Sequence, residues 1–249
     1  MYNSVMELLF GMIVFMGAGF IQGLTSFGLS MVAIPLLILI MPLQEVVPTI
    51  IVLAMLTNAL VIVTSRKEIK FRKFGLLIMM GILFMPLGAY SLRYLNPNYL
   101  QLCFGILITI FSLLLILKKT FPIKHEKAGY MVTGSISGFL NGSLSLSGPP
   151  IVIFLSMQGT NKDSFRANLS VYFIILNILT TVVFIANGLL NRVVFERILY
   201  LAPALVIGVL AGIFVSKKVK DEAFRKVVLV LLLISGVWTT ISTLVGLTG

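Results

Sequence analysis

Long apolar runs separated by short polar loops dominate the chain. Read in windows of membrane-crossing length, they predict helices near 5–24, 46–64, 74–92, 99–117, 129–144, 168–187, 198–215 and 226–246. Two further apolar runs, Leu29–Met41 and Pro150–Met157, are too short to cross a bilayer core of about 30 Å, which takes roughly 20 residues. Each follows a stretch rich in Gly, Ser and Thr that interrupts the hydrophobic pattern.

The two interruptions resemble one another. Gly19-Phe20-Ile21-Gln22-Gly23-Leu24-Thr25-Ser26 aligns with Gly138-Phe139-Leu140-Asn141-Gly142-Ser143-Leu144-Ser145, and both lead into a short segment containing proline. The same register sets Asn58 on Asn177. With a short insertion in the second half, Leu87-Gly88 falls on Ala211-Gly212. Residues 1–120 and 128–249 therefore read as two repeats of one membrane domain, joined by the basic linker 118–127.

Composition fixes the solvent. With 59% of 249 residues hydrophobic and 11% charged, the apolar surface is too large for a water-soluble core to hide. The N-terminal stretch from Met1 to Glu7 has no positive n-region and no cleavage site, so the first run is expected to stay as a helix. Nineteen Lys and Arg against eight Asp and Glu give a net charge of +11. The basic residues sit in loops, where a positive-inside bias places them, so no nucleic-acid partner is implied.

Their distribution also orients the repeats. If each interrupted motif and its short partner form a two-limbed pair, the halves are inverted. The clusters Arg66–Lys73, Lys118–Lys127, Lys162–Arg166 and Lys217–Lys226 then lie inside, leaving only Arg93, Arg192 and Arg197 outside. Parallel halves would carry the last cluster across, against the rule. The expected fold is an all-α polytopic membrane protein of two inverted repeats, each an interrupted or re-entrant helix pair plus three transmembrane helices, with both termini outside. Charge parity leaves open whether the short limbs cross or re-enter.

A break at membrane depth must be buried or line a wet cavity, because lipid offers its backbone groups no partners. Matched breaks in two halves are a sequence pointer to a transporter binding site. A short helix starting near Gly28 and another near Pro150 would present free N–H groups and partial positive charge to an anion. The candidate binding residues are Gln22, Thr25, Ser26, Gly28, Asn58, Asn141, Ser143, Ser145, Ser147, Gly148 and Asn177. The competing reading is that small residues simply let helices pack and isolated hydroxyls bond between helices. Arg166, opening a helix on the inner side, is either an interfacial snorkelling residue or a cation that draws substrate to the cytoplasmic mouth.

Other chemistries lack their residues. No Asp or Glu falls within the apolar interior, so no carboxylate relay for protons or sodium is visible, and cation transport is disfavoured. His125 lies in the linker, Cys103 is alone, and neither a paired-His metal motif nor a phosphate-binding loop occurs. No enzyme activity, metal or cofactor is expected.

These same features resemble the sulfite exporter TauE/SafE family of bacterial membrane proteins. The likeness lies in the motif leading to a proline-containing short helix in both halves, Gly19–Pro35 and Gly138–Pro150, and in Phe165-Arg166-Ala167-Asn168 before the helix bearing Asn177. The chain departs from the usual pattern in having fewer glycines after Ser26 and Ser145, with Phe27 and Leu146 in the breaks. The resemblance implies secondary transport of a sulfur-containing anion such as sulfite or an organosulfonate across the bacterial inner membrane. The partners expected are that small anion and the lipid bilayer, with a homodimer possible and the coupling ion unreadable. The alternatives are a transporter of another small solute and a non-transporting scaffold or assembly subunit.

Overall fold

A computed structural model describes residues 5–64, 74–117, 126–156 and 162–216, and near the end 230, 233–234 and 236–245. The helices are α1 (Val5–Thr25), α2 (Leu29–Leu37), α3 (Leu43–Thr64), α4 (Gly75–Tyr94), α5 (Pro97–Ile116), α6 (Glu126–Leu144), α7 (Gly148–Ser156), α8 (Lys162–Ala186) and α9 (Arg192–Ser216). A last helix, α10 (Gly236–Val245), closes the described residues, among which there is no strand. The basic clusters in loops 65–73, 118–125 and 217–229, and with them much of the charge ledger and the linker, lie outside the described residues.

Among the described residues, six helices are long and apolar enough to cross a membrane: the long parts of α1, α3, α4, α5, α8 and α9. Their outward faces carry large apolar side chains, such as Leu83, Leu87, Ile207 and Phe214, more than half exposed. Such surfaces suit hydrocarbon, and the protein is a multi-pass membrane protein. α6 is not among the six because Gly, Ser, Thr and Asn crowd its sequence. Its last turns, from Ser137 to Leu144, face protein rather than lipid.

Within the described residues the predicted segments are helical, with shifted ends. α8 starts at Lys162, earlier than the expected 168. Hydropathy sees only the apolar part of a helix, whereas the backbone stays helical through the polar turn Lys162–Arg166. α7 starts at Gly148 rather than at Pro150, and the first short run is helical only to Leu37 before a turn.

Long helices pair across the chain midpoint: α1 packs along α9, α6 along α4, and α3 meets α8. Glycines bring the first two pairs to backbone contact. A methyl at Gly23 would stand 2.2 Å from the Val209 carbonyl oxygen, and one at Gly142 would stand 2.2 Å from that of Met85. Likewise a methyl at Gly212 would stand 2.1 Å from the Phe20 oxygen, and one at Gly88 2.0 Å from the Phe139 oxygen. These contacts match position for position when the aligned halves are exchanged. Small residues permit this approach where helices in lipid associate by packing.

Candidate functional site

Both breaks are built in the same way. α1 remains helical through Thr25, where Ser26 turns left-handed (φ 65°) and its N–H bonds the Gln22 carbonyl at 2.7 Å. α6 runs through Leu144, where Ser145 takes φ 53° and bonds the Asn141 carbonyl at 3.0 Å. These are left-handed helix C-caps, formed by serine where glycine is the usual choice. Gly28, at φ 102°, then admits the chain to α2, a conformation that side chains resist.

The side chain of Gln22 ties the first break together. Its Oε1 accepts the Leu29 N–H at 3.1 Å, capping α2, while its Nε2 donates to Asn58 Oδ1 at 3.4 Å and to the Ser26 carbonyl at 3.4 Å. Asn141, its counterpart and one methylene shorter, turns instead to Thr180 Oγ1 at 2.8 Å. The second break is braced from α8: Tyr172 donates to Ser137 Oγ at 3.0 Å, and Ser137 donates to the Ser147 carbonyl at 2.8 Å. The breaks also touch each other, with the Ser30 hydroxyl bonding the Ser145 carbonyl.

Between them lies a small, half-enclosed cavity of about 30 Å³. Its walls come in equivalent pairs from the two halves: Gln22 with Asn141, Gly28 with Ser147, and Asn58 with Asn177. Ser145 and Gly148 also line it, so eight of the expected residues are brought together. None of its described walls carries an ionisable side chain. The amide of Asn177, a residue only 3% exposed, makes no hydrogen bond to another described residue and lines this space.

Three expected residues face elsewhere. Thr25 donates to the Ile21 carbonyl at 2.8 Å within α1. Ser26 shapes the backbone turn and is fully buried without lining the cavity. Ser143 bonds the Phe139 carbonyl at 2.8 Å and lies on the α4 side of α6, where its N–H is 2.9 Å from a methyl built on Gly88. The Ser143 hydroxyl is thus bonded within its own helix, whereas that of Thr25 also bonds the Phe27 carbonyl and accepts the Phe27 N–H at 3.3 Å, tying the end of α1 to the break. Arg166 belongs to the first turns of α8, and its side chain lies outside the described residues.

Sequence reasoning missed the apolar walls. Ala54 and Phe173 sit one turn before Asn58 and Asn177 on the same helix faces, so helical spacing from the asparagines would have found them. Phe27, Leu146 and Pro149 lay within the breaks but carry no side-chain donor to mark them, and Ser30, which has one, closes the first break.

A helical membrane protein with two matched helix breaks facing one cavity has the layout of a membrane transporter. The sequence profile described as sulfite exporter TauE/SafE matches residues 11–239, and the chain belongs to that family, whose members are transporters and not enzymes. Among curated proteins it is similar to one from Cupriavidus necator described as a probable sulfite/organosulfonate exporter TauE, 24% identical over 211 residues, covering 82% of each chain. No solved structure matches it.

Proposed function

We propose that the protein carries a small anion, sulfite or an organosulfonate, across the bacterial inner membrane and binds it between the two helix breaks. One observation carries this reading: Asn58 and Asn177, both almost wholly enclosed by protein, line the same cavity as the start of α2. At that start Gln22 takes the Leu29 N–H, leaving Ser30 and Met31 at the opening of a helix whose dipole favours negative charge. Neutral amides and main-chain N–H groups bind an oxyanion without a fixed cation that would hold it too tightly to release.

Two inverted repeats, spanning 1–120 and 128–249, would supply the alternation of access. The exchange-related contacts of α1 with α9 and α6 with α4 support the repeat relation. The positive-inside distribution of Lys and Arg supports the inversion.

Thermal stability of the purified protein under a panel of solutes, followed by flux in proteoliposomes, tests the proposal. Sulfite or methanesulfonate should raise the melting temperature, and Asn177→Ala should weaken binding by about tenfold or more, the loss of one hydrogen bond to a charged group, so that the rise shrinks and flux at low sulfite falls. Stabilisation by neutral or cationic solutes alone would contradict the anion. Unchanged flux in Asn58→Ala and Asn177→Ala proteins would contradict the site and favour a scaffold role.

A further inference from the structure

We infer that Phe173, together with Phe27, is a specificity-determining residue that selects anions bearing a short carbon tail and limits the length of that tail. The inference rests on the anion reading above and deepens it. α3 and α8 present equivalent faces to the cavity, each with an asparagine and, one turn earlier, a second lining residue. On α3 that residue is Ala54; on α8 it is Phe173. The seat is therefore lopsided, with a methyl on one flank and a ring on the other.

A second ring extends the same flank. A methyl built on Gly148 would lie 3.4 Å from Phe27 Cβ and 3.8 Å from the ring carbon Cζ of Phe173, so both aromatic residues converge on the start of α7. That start offers little to an anion, because Pro149 and Pro150 have no N–H. A phenyl ring offers an oxyanion no hydrogen-bond donor while it covers carbon well. The head is thus directed to α2, Asn58 and Asn177, and whatever is attached to it is directed over Phe27 and Phe173. One helical turn, about 5.4 Å, separates the amide from the ring along α8, a span that a tail of a few carbons fills.

Binding of sulfite and of a series of straight-chain alkanesulfonates to the purified full-length protein, by calorimetry, tests this. In the unmodified protein, affinity should rise from methanesulfonate by roughly fourfold per methylene, the value of burying one CH₂, and then fall once the tail meets the rings end-on. Phe173→Ala should move that fall to longer tails while sulfite affinity changes less than about twofold. Phe173→Leu, which keeps the site apolar, should move it less, and Ala54→Phe should move it to shorter tails. A flat series in the unmodified protein with sulfite bound overturns this inference alone. So does equal weakening of sulfite and all sulfonates by both Phe173 substitutions. Failure of every anion, sulfite included, to bind the unmodified protein overturns the anion reading itself.

Discussion

The two helix breaks share a backbone and differ in what they present. At the first, a glutamine long enough to reach across the gap caps α2 and engages Asn58, and α2 begins with residues that keep their N–H groups. At the second, the shorter Asn141 bonds Thr180, two prolines follow Gly148, and Tyr172 and Ser137 brace the turn from behind. Ala18 and Leu53, at the places equivalent to Ser137 and Tyr172, cannot form that brace. The turn is thus alike at both breaks while the polar contacts lie on opposite sides of it. On the proposed reading, the first break holds the charged head and the second forms a stiff wall against which the rest of the solute rests.

Substituting the equivalent amides should separate these roles most strongly. Gln22→Ala removes the cap on Leu29 and the partner of Asn58, so the start of α2 and the Asn58 amide lose their fixed orientation, and sulfite binding should weaken by about tenfold or more as that preorganisation is lost. Asn141→Ala should weaken it less than about fivefold, since its amide is turned to Thr180. Equal losses by calorimetry would mean that the halves contribute alike.

The brace should act on stability. Ser137→Ala leaves the Tyr172 hydroxyl without its acceptor and the Ser147 carbonyl without its donor, at a cost of about 1–3 kcal/mol. The melting temperature in detergent should fall, Ser137→Thr should recover most of it, and sulfite affinity should change little. A fall in affinity without a fall in stability would place the brace in recognition instead.

The smallest effect is a gain. Pro149→Ser gives α7 the residue that α2 has at Ser30, restoring an N–H and a hydroxyl to the second wall. Sulfite should bind up to about fivefold more tightly, one added hydrogen bond of about 1 kcal/mol. A weaker complex would show that the stiffness of the proline wall matters more than its missing donor.

Much of this was legible in the sequence, because apolar length and the Gly/Ser interruptions are properties of the chain itself. The nine longer and shorter helices from α1 to α9 fall where the hydropathy pattern sets them. The breaks are shorter than the Gly-rich stretches suggest, since α1 and α6 stay helical through Thr25 and Leu144. Had helical phase been carried that far, Asn141 and Ser143 would have fallen on nearly opposite faces of α6, one toward the cavity and one toward α4. The asymmetry between Gln22 and Asn141 was not legible at all: it depends on one methylene and on where Asn58 and Thr180 stand after folding. The aromatic wall was hidden for a related reason, because Phe27 and Phe173 look like ordinary core residues until the start of α7 is placed between them.

The central claim is that an anion sits between the breaks, and a structure determined with saturating sulfite or methanesulfonate tests it most directly. The account predicts density bounded by the Gly28–Met31 turn, with an oxygen within hydrogen-bond distance of the Asn177 amide. A bound anion elsewhere, with the space between Asn58 and Asn177 filled only by water, would contradict it.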